Sequence, residues 1–284
     1  MWTRGLAYWY RRHGRHNLTW RHTDDPWAIL VSEVMLQQTQ VGRVVGRWDS
    51  FLERWPTPHS CANAGLADVL REWRGLGYPR RARDLHQVAA TVAEGGWPQD
   101  EAGLRALPGV GPYTARALLT LALRRPSPPP RDVNVSRVAA RAALGVEPGV
   151  SSATSLDEAV QAGRPSRMSR RDYTYALFDV GALHCRSRPR CDGCPLRPGC
   201  ASLARLAGTG APVPERRQPR YHGSNRELRG AVLRLLLGPA PPSRMAELNA
   251  RLAGFAAARH PGGVEMAVAG LVADRLIPAG ALAD

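Results

Sequence analysis

The stretch Leu107-Pro-Gly-Val-Gly-Pro-Tyr-Thr-Ala115 decides the fold of this 284-residue chain. It is a short turn that contains Gly109 and Gly111, and it leads directly into an apolar segment with helical spacing. One interpretation is an ordinary turn between two helices, in which glycine supplies a positive φ. The other is a binding turn, in which backbone amides freed by the two glycines at a helix N-terminus cradle one phosphate. The turn alone does not separate the two, so the rest of the chain has to.

Helical periodicity extends outward from this turn over most of the chain. Apolar residues recur at intervals of three and four in segments such as Trp27–Val34, Leu66–Leu70 and Ala115–Ala122. The sequence therefore predicts an all-α protein. No apolar run approaches the ~18 residues of a membrane-spanning helix, so no membrane association is expected.

One break rich in proline and glycine predicts a domain boundary. Residues 208–219 read Gly-Thr-Gly-Ala-Pro-Val-Pro-Glu-Arg-Arg-Gln-Pro, a composition typical of a linker. We therefore predict a main domain at 1–207, a linker at 208–220 and a small module at 221–284.

Three helices are predicted in the C-terminal module. They are followed by a short strand near Leu276-Ile277, a pattern compatible with a winged-helix module, and a plain helical bundle fits the same segment. The predicted helices are Leu228–Leu237, Met245–Ala257 and Val264–Leu276.

Charge narrows the class of partner. The net charge is +15, all 39 basic residues are arginine, and the sequence contains no lysine. This balance indicates a polyanionic partner, although a genome that favours arginine codons would also raise the arginine content. The chain opens without the apolar stretch and cleavage site of a signal peptide, which predicts a reducing cytosolic environment.

Four of the five cysteines fall close together, at Cys185, Cys191, Cys194 and Cys200. In a reducing compartment such a group indicates metal ligands rather than disulfides. Four thiolates suit either tetrahedral zinc or a [4Fe–4S] cluster, and the spacing alone does not separate them. The fifth cysteine, Cys61, is predicted to be a small buried residue.

Glu33 stands in the middle of a strongly apolar predicted helix, Pro26–Gln40. An ionised carboxylate there is costly unless it is paired, so its pKa should rise, as in a general acid that works at neutral pH. The alternative is that Glu33 pairs with an arginine or faces solvent.

Asp132 follows the proline-rich loop 126–130, at the point where the chain turns helical again. Asp132 or Asn134 would serve as a helix N-cap. A functional carboxylate at a helix start is equally compatible with the pattern.

Together these segments resemble the helix-hairpin-helix DNA glycosylases of the endonuclease III superfamily, and within it the adenine DNA glycosylases. The resemblance covers roughly residues 1–205. The motifs that carry it, in order, are Leu18-Thr-Trp-Arg21, Ser32-Glu-Val-Met-Leu-Gln-Gln-Thr-Gln40, Gly75-Leu-Gly-Tyr78, Leu107-Pro-Gly-Val-Gly-Pro-Tyr113, Asp132-Val-Asn-Val135, Gly181-Ala-Leu183 and the four cysteines. The resemblance implies a two-lobed helical fold in which the cysteines hold a [4Fe–4S] cluster.

The resemblance also implies roles for single residues. Glu33 would protonate the flipped base, and Asp132 would stabilise the positive charge that develops on the sugar. Tyr113 would lie beside the scissile nucleotide. Further residues are implied in the base pocket and in DNA contact: Trp20, Arg21, Gln38, Thr39, Leu76, Tyr78, Gly109, Gly111, Asn134 and Tyr175.

Relatives that also cut the DNA strand attack the sugar with a lysine amine. This chain has no lysine, and Tyr113 stands at the hairpin position. We therefore expect a monofunctional glycosylase that leaves an abasic site.

Three departures from the family pattern limit the carry-over. The first gap between cysteines, Arg186–Arg190, is one residue shorter than usual. Tyr173-Thr-Tyr175 replaces a Phe-Asn-Gln/Glu element, so the amide or acid that would read the adenine edge is missing. The C-terminal module does not read as the Nudix-like β domain of many relatives, and discrimination of 8-oxoguanine from guanine is therefore expected to be weaker.

The sequence thus predicts an enzyme that removes adenine mispaired with 8-oxoguanine or guanine. A mismatch glycosylase for thymine, uracil or a deaminated purine is a second hypothesis, and a non-catalytic DNA-binding protein is a third. The expected partner is double-stranded DNA with a mismatched or damaged pair. The protein is expected to be a monomer in the bacterial cytoplasm, associated with the nucleoid through DNA.

Overall fold

The computed structural model describes residues 1–208, 220–259 and 262–282, and in these ranges it contains no β-strand. The predicted all-α class is confirmed. The α-helices of the described ranges are α1 (Leu6–His13), α2 (Pro26–Leu36), α3 (Val41–Val44), α4 (Arg47–Arg54), α5 (Pro58–Ala62), α6 (Leu66–Glu72), α7 (Arg80–Gly95), α8 (Glu101–Arg105), α9 (Pro112–Ala117), α10 (Val133–Val138), α11 (Ala153–Ala162), α12 (Arg170–Leu183), α13 (Leu203–Gly208), α14 (Asn225–Leu236), α15 (Met245–Leu252) and α16 (Gly263–Ala273).

The chain divides into two compact units. The first unit comprises Met1–Glu33 and Trp97–Arg216, and the second comprises Val34–Gly96 and Arg217–Asp284. Helix α2 therefore crosses from the first unit to the second after Glu33. Most of the predicted linker at 208–220 falls on residues outside the described ranges. The domain limits at 207 and 221 stay a prediction.

The turn Leu107–Gly111 joins α8 to α9 in the first unit. Leu107 and Val110 are buried on either side of Gly109, which has a φ of +69°. A residue with a side chain is strained in that conformation, so glycine is needed there. Gly111 is the extended N-cap of α9, and Pro112 takes the first helical position. A π-helical segment, Leu118–Ala122, continues α9.

Helices α10 and α12 lie against each other in the first unit, and a glycine sets how closely they approach. A Cβ on Gly181 of α12 would stand 2.5 Å from the Cβ of Asn134 of α10, well inside van der Waals contact. Only glycine allows this approach. The contact brings the end of α12, which leads to Cys185, against the start of α10.

The predicted C-terminal helices are confirmed as α14, α15 and α16, with shifted ends. The strand predicted near Leu276-Ile277 is wrong. Arg275 has a φ of +53°, and the amide of Leu276 donates to the carbonyl of Leu271 at 3.0 Å, which closes the end of α16. Leu276 and Ile277 are buried as a turn after a helix. The segment is thus a small helical module and lacks the strand of a winged helix.

The C-terminal helices are attached to α6 and α7 within the second unit. The carboxylate of Asp274 accepts hydrogen bonds from Arg80 at 3.0 Å and from Arg229, and the carbonyl oxygen of Asp274 accepts from Arg83. Arg71 of α6 donates to the carbonyl of Leu237 at 3.0 Å. None of the helices in the described residues is both long and apolar enough to cross a membrane.

Candidate active site

Glu33 is a buried carboxyl of the first unit. It sits in α2, and it is 5% exposed. Burial raises the pKa of Glu33 to about 7, and the nearby charge of Asp132 acts in the same direction. The Tyr113 hydroxyl, which donates a hydrogen bond to the carboxylate, and the charge of Arg21 oppose the rise. The raised pKa expected from the sequence is confirmed, and the solvent-facing alternative is wrong.

Asp132 is the N-cap of α10, as the sequence predicts. One of its carboxylate oxygens accepts from the amide of Val135 at 2.8 Å, and the other accepts from the side-chain amide of Asn134 at 2.7 Å. The half-buried carboxylate is therefore fixed in direction by two donors. Its charge acts on both Glu33 and Tyr113.

Tyr113 joins the hairpin to the buried carboxyl. It is the second residue of α9, and its hydroxyl donates to Glu33. Burial raises the pKa of Tyr113 well above its ordinary value, and the negative charges of Glu33 and Asp132 raise it further. The hydroxyl therefore stays protonated and keeps its role as a donor. The hairpin thus contributes a side chain to the site in addition to its backbone turn.

Arg21 is held by a residue that the sequence analysis missed. Both terminal nitrogens of Arg21 donate to the carboxylate of Asp179, each at 2.8 Å, and Asp179 also accepts from the amide of Arg15 at 2.9 Å. Burial acts to raise the pKa of Asp179, but the hydrogen bonds and charges of Arg21 and Arg15 outweigh it and lower that pKa. The only sequence signal was an acid within the apolar helix α12.

Tyr175 lies against the Arg21–Asp179 ion pair in the fold, and Trp20 precedes Arg21 in the chain. The guanidinium of Arg21 stacks over the ring of Tyr175, 4.5 Å from its centroid, and Phe178 lies 6.4 Å from the same ring. Phe178 also lies 6.3 Å from the ring of Tyr113. Trp20 is buried in a short 3-10 turn, Thr19–Arg21, which also carries Arg21. Three neighbouring rings, those of Tyr175, Phe178 and Tyr113, therefore extend from Arg21 toward the hairpin.

The arrangement has a clear chemical capacity. A buried carboxyl with a pKa of about 7 can hold a proton at neutral pH and release it to a bound group. The capped carboxylate of Asp132 beside it can stabilise a positive charge. These are the two tasks of a hydrolase that cleaves a glycosidic bond.

The four clustered cysteines follow α12 and are all half-buried. Burial raises the pKa of the Cys194 thiol to about 11, and the charges of Cys185, Cys191 and Cys200 raise it as well, so the four sulfur atoms are neighbours. Within the described residues, no three metal-binding side chains are close enough to hold a single metal ion. Four neighbouring thiols supply the ligands of a [4Fe–4S] cluster, which takes one thiolate at each of its four iron atoms, and they also supply the ligands of a tetrahedral zinc ion.

Two arginines support the cysteine segment from α10 and its π-helical extension. Arg141 is 1% exposed and donates to the carbonyl of Arg186 at 2.6 Å and to Glu147 at 2.9 Å. Burial raises the pKa of the Cys185 thiol, and the charges of Arg141 and Arg137 oppose part of that rise. Positive charge beside the thiols suits a cluster held by thiolates.

Arg137 connects the cysteine segment to the carboxylate of Asp132 through Asn134. It donates to the carbonyl of Cys185, and it donates to the side-chain oxygen of Asn134 at 2.8 Å. Asn134 in turn donates to Asp132. The sequence analysis missed Arg137, although its position one helical turn after Asn134 places both on one face of α10.

The remaining predicted residues lie in the second unit. Thr39 donates to the carbonyl of Leu76 at 3.2 Å. Gln38 and Tyr78 both adopt a positive φ, of +53° and +48°. Arg81, which the sequence analysis also missed, donates to Thr39 at 3.2 Å and to the carbonyl of Leu76 at 2.8 Å.

The predicted residues therefore fall into separate groups. In the first unit the structure brings together Glu33, Asp132, Tyr113, Asn134, Arg21 and Tyr175. In the second unit it brings together Thr39, Leu76 and Tyr78 around Arg81, with Gln38 adjacent in the chain.

Comparison with known proteins agrees with the sequence resemblance. The model of the HhH-GPD superfamily of base excision DNA repair proteins matches residues 31–152. An adenine DNA glycosylase of Mycolicibacterium smegmatis is 42% identical over 249 residues, which is 86% of this chain and 83% of that protein. A thymine-DNA glycosylase of Aeropyrum pernix is 33% identical over 206 residues, which is 69% of this chain and 92% of that protein.

A solved structure supports the same fold. The structure of a thermostable thymine-DNA glycosylase superposes with a TM-score of 0.64 at 26% identity, covering 72% of this chain and 95% of that one. Sequence and fold point to the same superfamily, and the long match to the mycobacterial protein narrows the assignment. The chain belongs to the adenine DNA glycosylase family of the HhH-GPD superfamily of base excision DNA repair proteins.

Proposed function

We propose that the protein excises adenine mispaired with 8-oxoguanine or guanine from double-stranded DNA by hydrolysing the N-glycosidic bond of a flipped nucleotide. The observation that carries the proposal is the buried Glu33, whose pKa of about 7 suits a general acid and which lies next to the capped carboxylate of Asp132. The adenine glycosylase relatives, identical to this chain at 42% in one case, support the choice of base.

In this proposal Glu33 delivers a proton to the flipped purine, at N7, and so turns the base into a better leaving group. Asp132 stabilises the oxocarbenium-like sugar, and Asn134 holds that carboxylate in place. Glu33 then helps water to complete the displacement. Tyr113 keeps the carboxyl group of Glu33 oriented through its hydrogen bond.

The same proposal makes the enzyme monofunctional. Strand cleavage by this superfamily proceeds through a Schiff base with a lysine amine, and no lysine is present in the sequence. Tyr113 occupies the hairpin position where such a lysine would stand. The product is therefore an intact strand with an abasic site.

We further propose that Cys185, Cys191, Cys194 and Cys200 hold a [4Fe–4S] cluster. When bound, the cluster ties the loop 185–200 together at four points and leaves the reaction to Glu33 and Asp132. The four neighbouring thiols and the adjacent arginines support this choice. Purified protein should contain four iron and four sulfide per chain and absorb in the visible range; colourless protein with tightly bound zinc would contradict it.

The DNA contacts are proposed for both units. In the first unit, Trp20, Arg21 and Tyr175 would line the base pocket, and the backbone at Gly109 and Gly111 would bind a phosphate. In the second unit, Gln38, Thr39, Leu76 and Tyr78 would fill the gap in the duplex and contact the opposite base. The glycosylase domain would span 1–207, the module would span 221–284, and the protein would act as a monomer on DNA in the bacterial cytoplasm.

Single-turnover excision tests the main proposal most directly. Duplexes carry adenine, thymine, uracil or hypoxanthine opposite guanine, 8-oxoguanine, thymine or cytosine, and Glu33→Gln serves as the control. We expect the fastest release for adenine opposite 8-oxoguanine or guanine, and no release by Glu33→Gln at unchanged DNA affinity. Absence of base release from every duplex by the wild type would leave only the non-catalytic DNA-binding hypothesis.

A second candidate function is excision of thymine, uracil or a deaminated purine. Two observations favour it: Tyr175 stands where the family has an amide or acid, and the Aeropyrum pernix relative is a thymine-DNA glycosylase. Faster release of thymine, uracil or hypoxanthine than of adenine in the same duplex series would select it.

A further inference from the structure

Arg81 makes an unusual set of hydrogen bonds in the second unit. Its side chain is buried, with the whole residue 9% exposed. Its two terminal nitrogens donate to six oxygen atoms, none of which belongs to a carboxylate. These are the carbonyl oxygens of Val34 at 2.6 Å, Met35 at 3.1 Å, Gln37 at 2.6 Å, Leu76 at 2.8 Å and Gly77 at 3.0 Å, and the hydroxyl of Thr39 at 3.2 Å.

A buried charge of this kind is costly. Burial lowers the pKa of Arg81 to about 10, which still leaves the guanidinium charged at neutral pH. Carbonyl dipoles, among them those at the end of α2, and the rings of Trp73 and Tyr78 at 5.5 and 5.4 Å offset part of the cost. An apolar side chain would fill the same volume without that cost. The planar fork formed by the two terminal nitrogens of arginine must therefore matter here.

The acceptors belong to two segments that are far apart in the sequence. One nitrogen binds Val34, Met35 and Gln37, at the end of α2 and immediately before Gln38. The other binds Leu76 and Gly77, immediately before Tyr78, and so bridges to the second segment.

Both residues that follow the acceptors are held in an unfavourable conformation. Gln38 and Tyr78 have positive φ, which non-glycine residues rarely adopt and which persists only where the surroundings impose it. Thr39 adds a direct link, because its hydroxyl donates to the carbonyl of Leu76 at 3.2 Å while accepting from Arg81. A single guanidinium thus fixes the start of both strained turns.

We propose that Arg81 is a positioning residue that holds the Gln38–Thr39 and Leu76–Tyr78 segments in one rigid arrangement, and so sets how the enzyme reads the base opposite its target. The inference rests on the proposed function, because these two segments are the proposed contacts to the opposite base. Arg81 itself touches no DNA in this proposal.

Arg81→Lys and Arg81→Met test the proposal. Lysine keeps the charge but cannot reach both segments with a planar fork, and methionine keeps only the volume. We expect the maximal single-turnover rate to fall roughly tenfold for lysine and about a hundredfold for methionine, because small displacements of contacting groups are expensive in rate. The preference for 8-oxoguanine over guanine opposite adenine should shrink as well.

Arg83→Met is the matched control. Arg83 lies on the same helix and is also partly buried, but it binds Asp84 and the carbonyl of Asp274 instead of the two turns. It should lose thermal stability while keeping the wild-type rate and the wild-type opposite-base preference. Arg81→Lys with an unchanged rate and preference, despite lower thermal stability, would show that Arg81 serves packing alone.

Amide hydrogen exchange separates this inference from the proposed function. Exchange should accelerate together at residues 36–40 and 75–78 in Arg81→Lys, and it should not do so in Arg83→Met. Unchanged exchange in both segments would show that Arg81 does not hold them together, even if excision by the wild type is normal. If the wild type releases no base, the proposed function is wrong, and so is the effect of Arg81 on recognition of the opposite base. If exchange in the two segments still accelerates together in Arg81→Lys, the structural role of Arg81 in holding them stands.

Discussion

The raised pKa of Glu33 follows from its buried position in helix α2. The carboxyl is buried, it accepts one hydrogen bond from Tyr113, and the nearest cation, Arg21, is engaged by Asp179. Without a dedicated counter-charge the neutral form is favoured, and the pKa rises to about 7. A substantial fraction of the Glu33 carboxyl groups is therefore protonated, and so neutral, at pH 7.

The rate of excision should depend on pH in a defined direction. Because the pKa of Glu33 is raised to about 7, the proton is present below that pH and lost above it. Single-turnover rates should be level from pH 5.5 to 6.5 and should fall about tenfold per pH unit above pH 7.5. Duplex affinity measured with Glu33→Gln gives the pH effect on binding alone. A rate that rises between pH 6 and 8 would contradict the general-acid role.

Tyr175→Phe should stabilise the protein. The Tyr175 hydroxyl is buried, and among the described residues it has no hydrogen-bond partner, so its removal deletes an unsatisfied polar group. We expect the melting temperature to rise by about 2 °C in thermal unfolding. Tyr173→Phe is the matched control on the same helix. Its hydroxyl donates to the carbonyl of Val160 at 2.9 Å, so its loss should lower the melting temperature.

At the scale of elements, α10 carries the connection between the cysteine segment and the site. Its N-cap is Asp132, its second residue is Asn134, and Arg137 follows one turn later. The three side chains form a hydrogen-bonded row that ends at the carbonyl of Cys185. The orientation of the capping carboxylate therefore depends on a side chain that contacts no substrate.

Arg137→Gln should slow excision by at least roughly tenfold, because Asn134 loses a charged donor and then holds the carboxylate of Asp132 less firmly. Single-turnover rates per cluster-loaded molecule measure this effect. Arg141→Lys is the comparison variant: Arg141 supports the carbonyls of Arg186 and Ser187 but does not bind Asn134. It should lower iron retention and leave the rate per loaded molecule unchanged. Equal losses of rate in both variants would mean that the row has no separate role.

Elements differ in how far the sequence predicts them. The apolar setting of Glu33 and the cap at Asp132 are local, and both are confirmed. Asp179 lies 158 residues from Arg21, and no pattern in the sequence links them. Arg81 is one of three arginines in the stretch 80–83. The sequence alone does not show which of the three is buried. The strand near Leu276 was wrong because two apolar residues in a row also suit a turn that closes a helix.

At the scale of the whole molecule, the chain is strongly basic and uses arginine alone. A charge of +15 favours association with the phosphates of DNA at long range. The exclusive use of arginine also removes every side-chain amine that could attack a sugar carbon. One compositional feature therefore affects both the affinity for the substrate and the product that is left.

Borohydride trapping should give no covalent adduct through a lysine, since the sequence contains none. After incubation with a cleavable duplex, the labelled strand should stay intact on a denaturing gel and should break only after treatment with hot alkali. Any adduct should involve only the α-amine at the chain start, which peptide mapping would show. Strand scission by the enzyme alone would overturn the monofunctional assignment.

The close approach at Gly181 has a consequence for the evolution of this protein. A single methyl group there would collide with Asn134, whose amide holds the carboxylate of Asp132. An alanine at this position would displace α10 from α12. We expect this displacement to reduce the rate of base release more than it reduces the stability of the fold. A relative that carries a larger residue at this position is therefore expected to release the base more slowly.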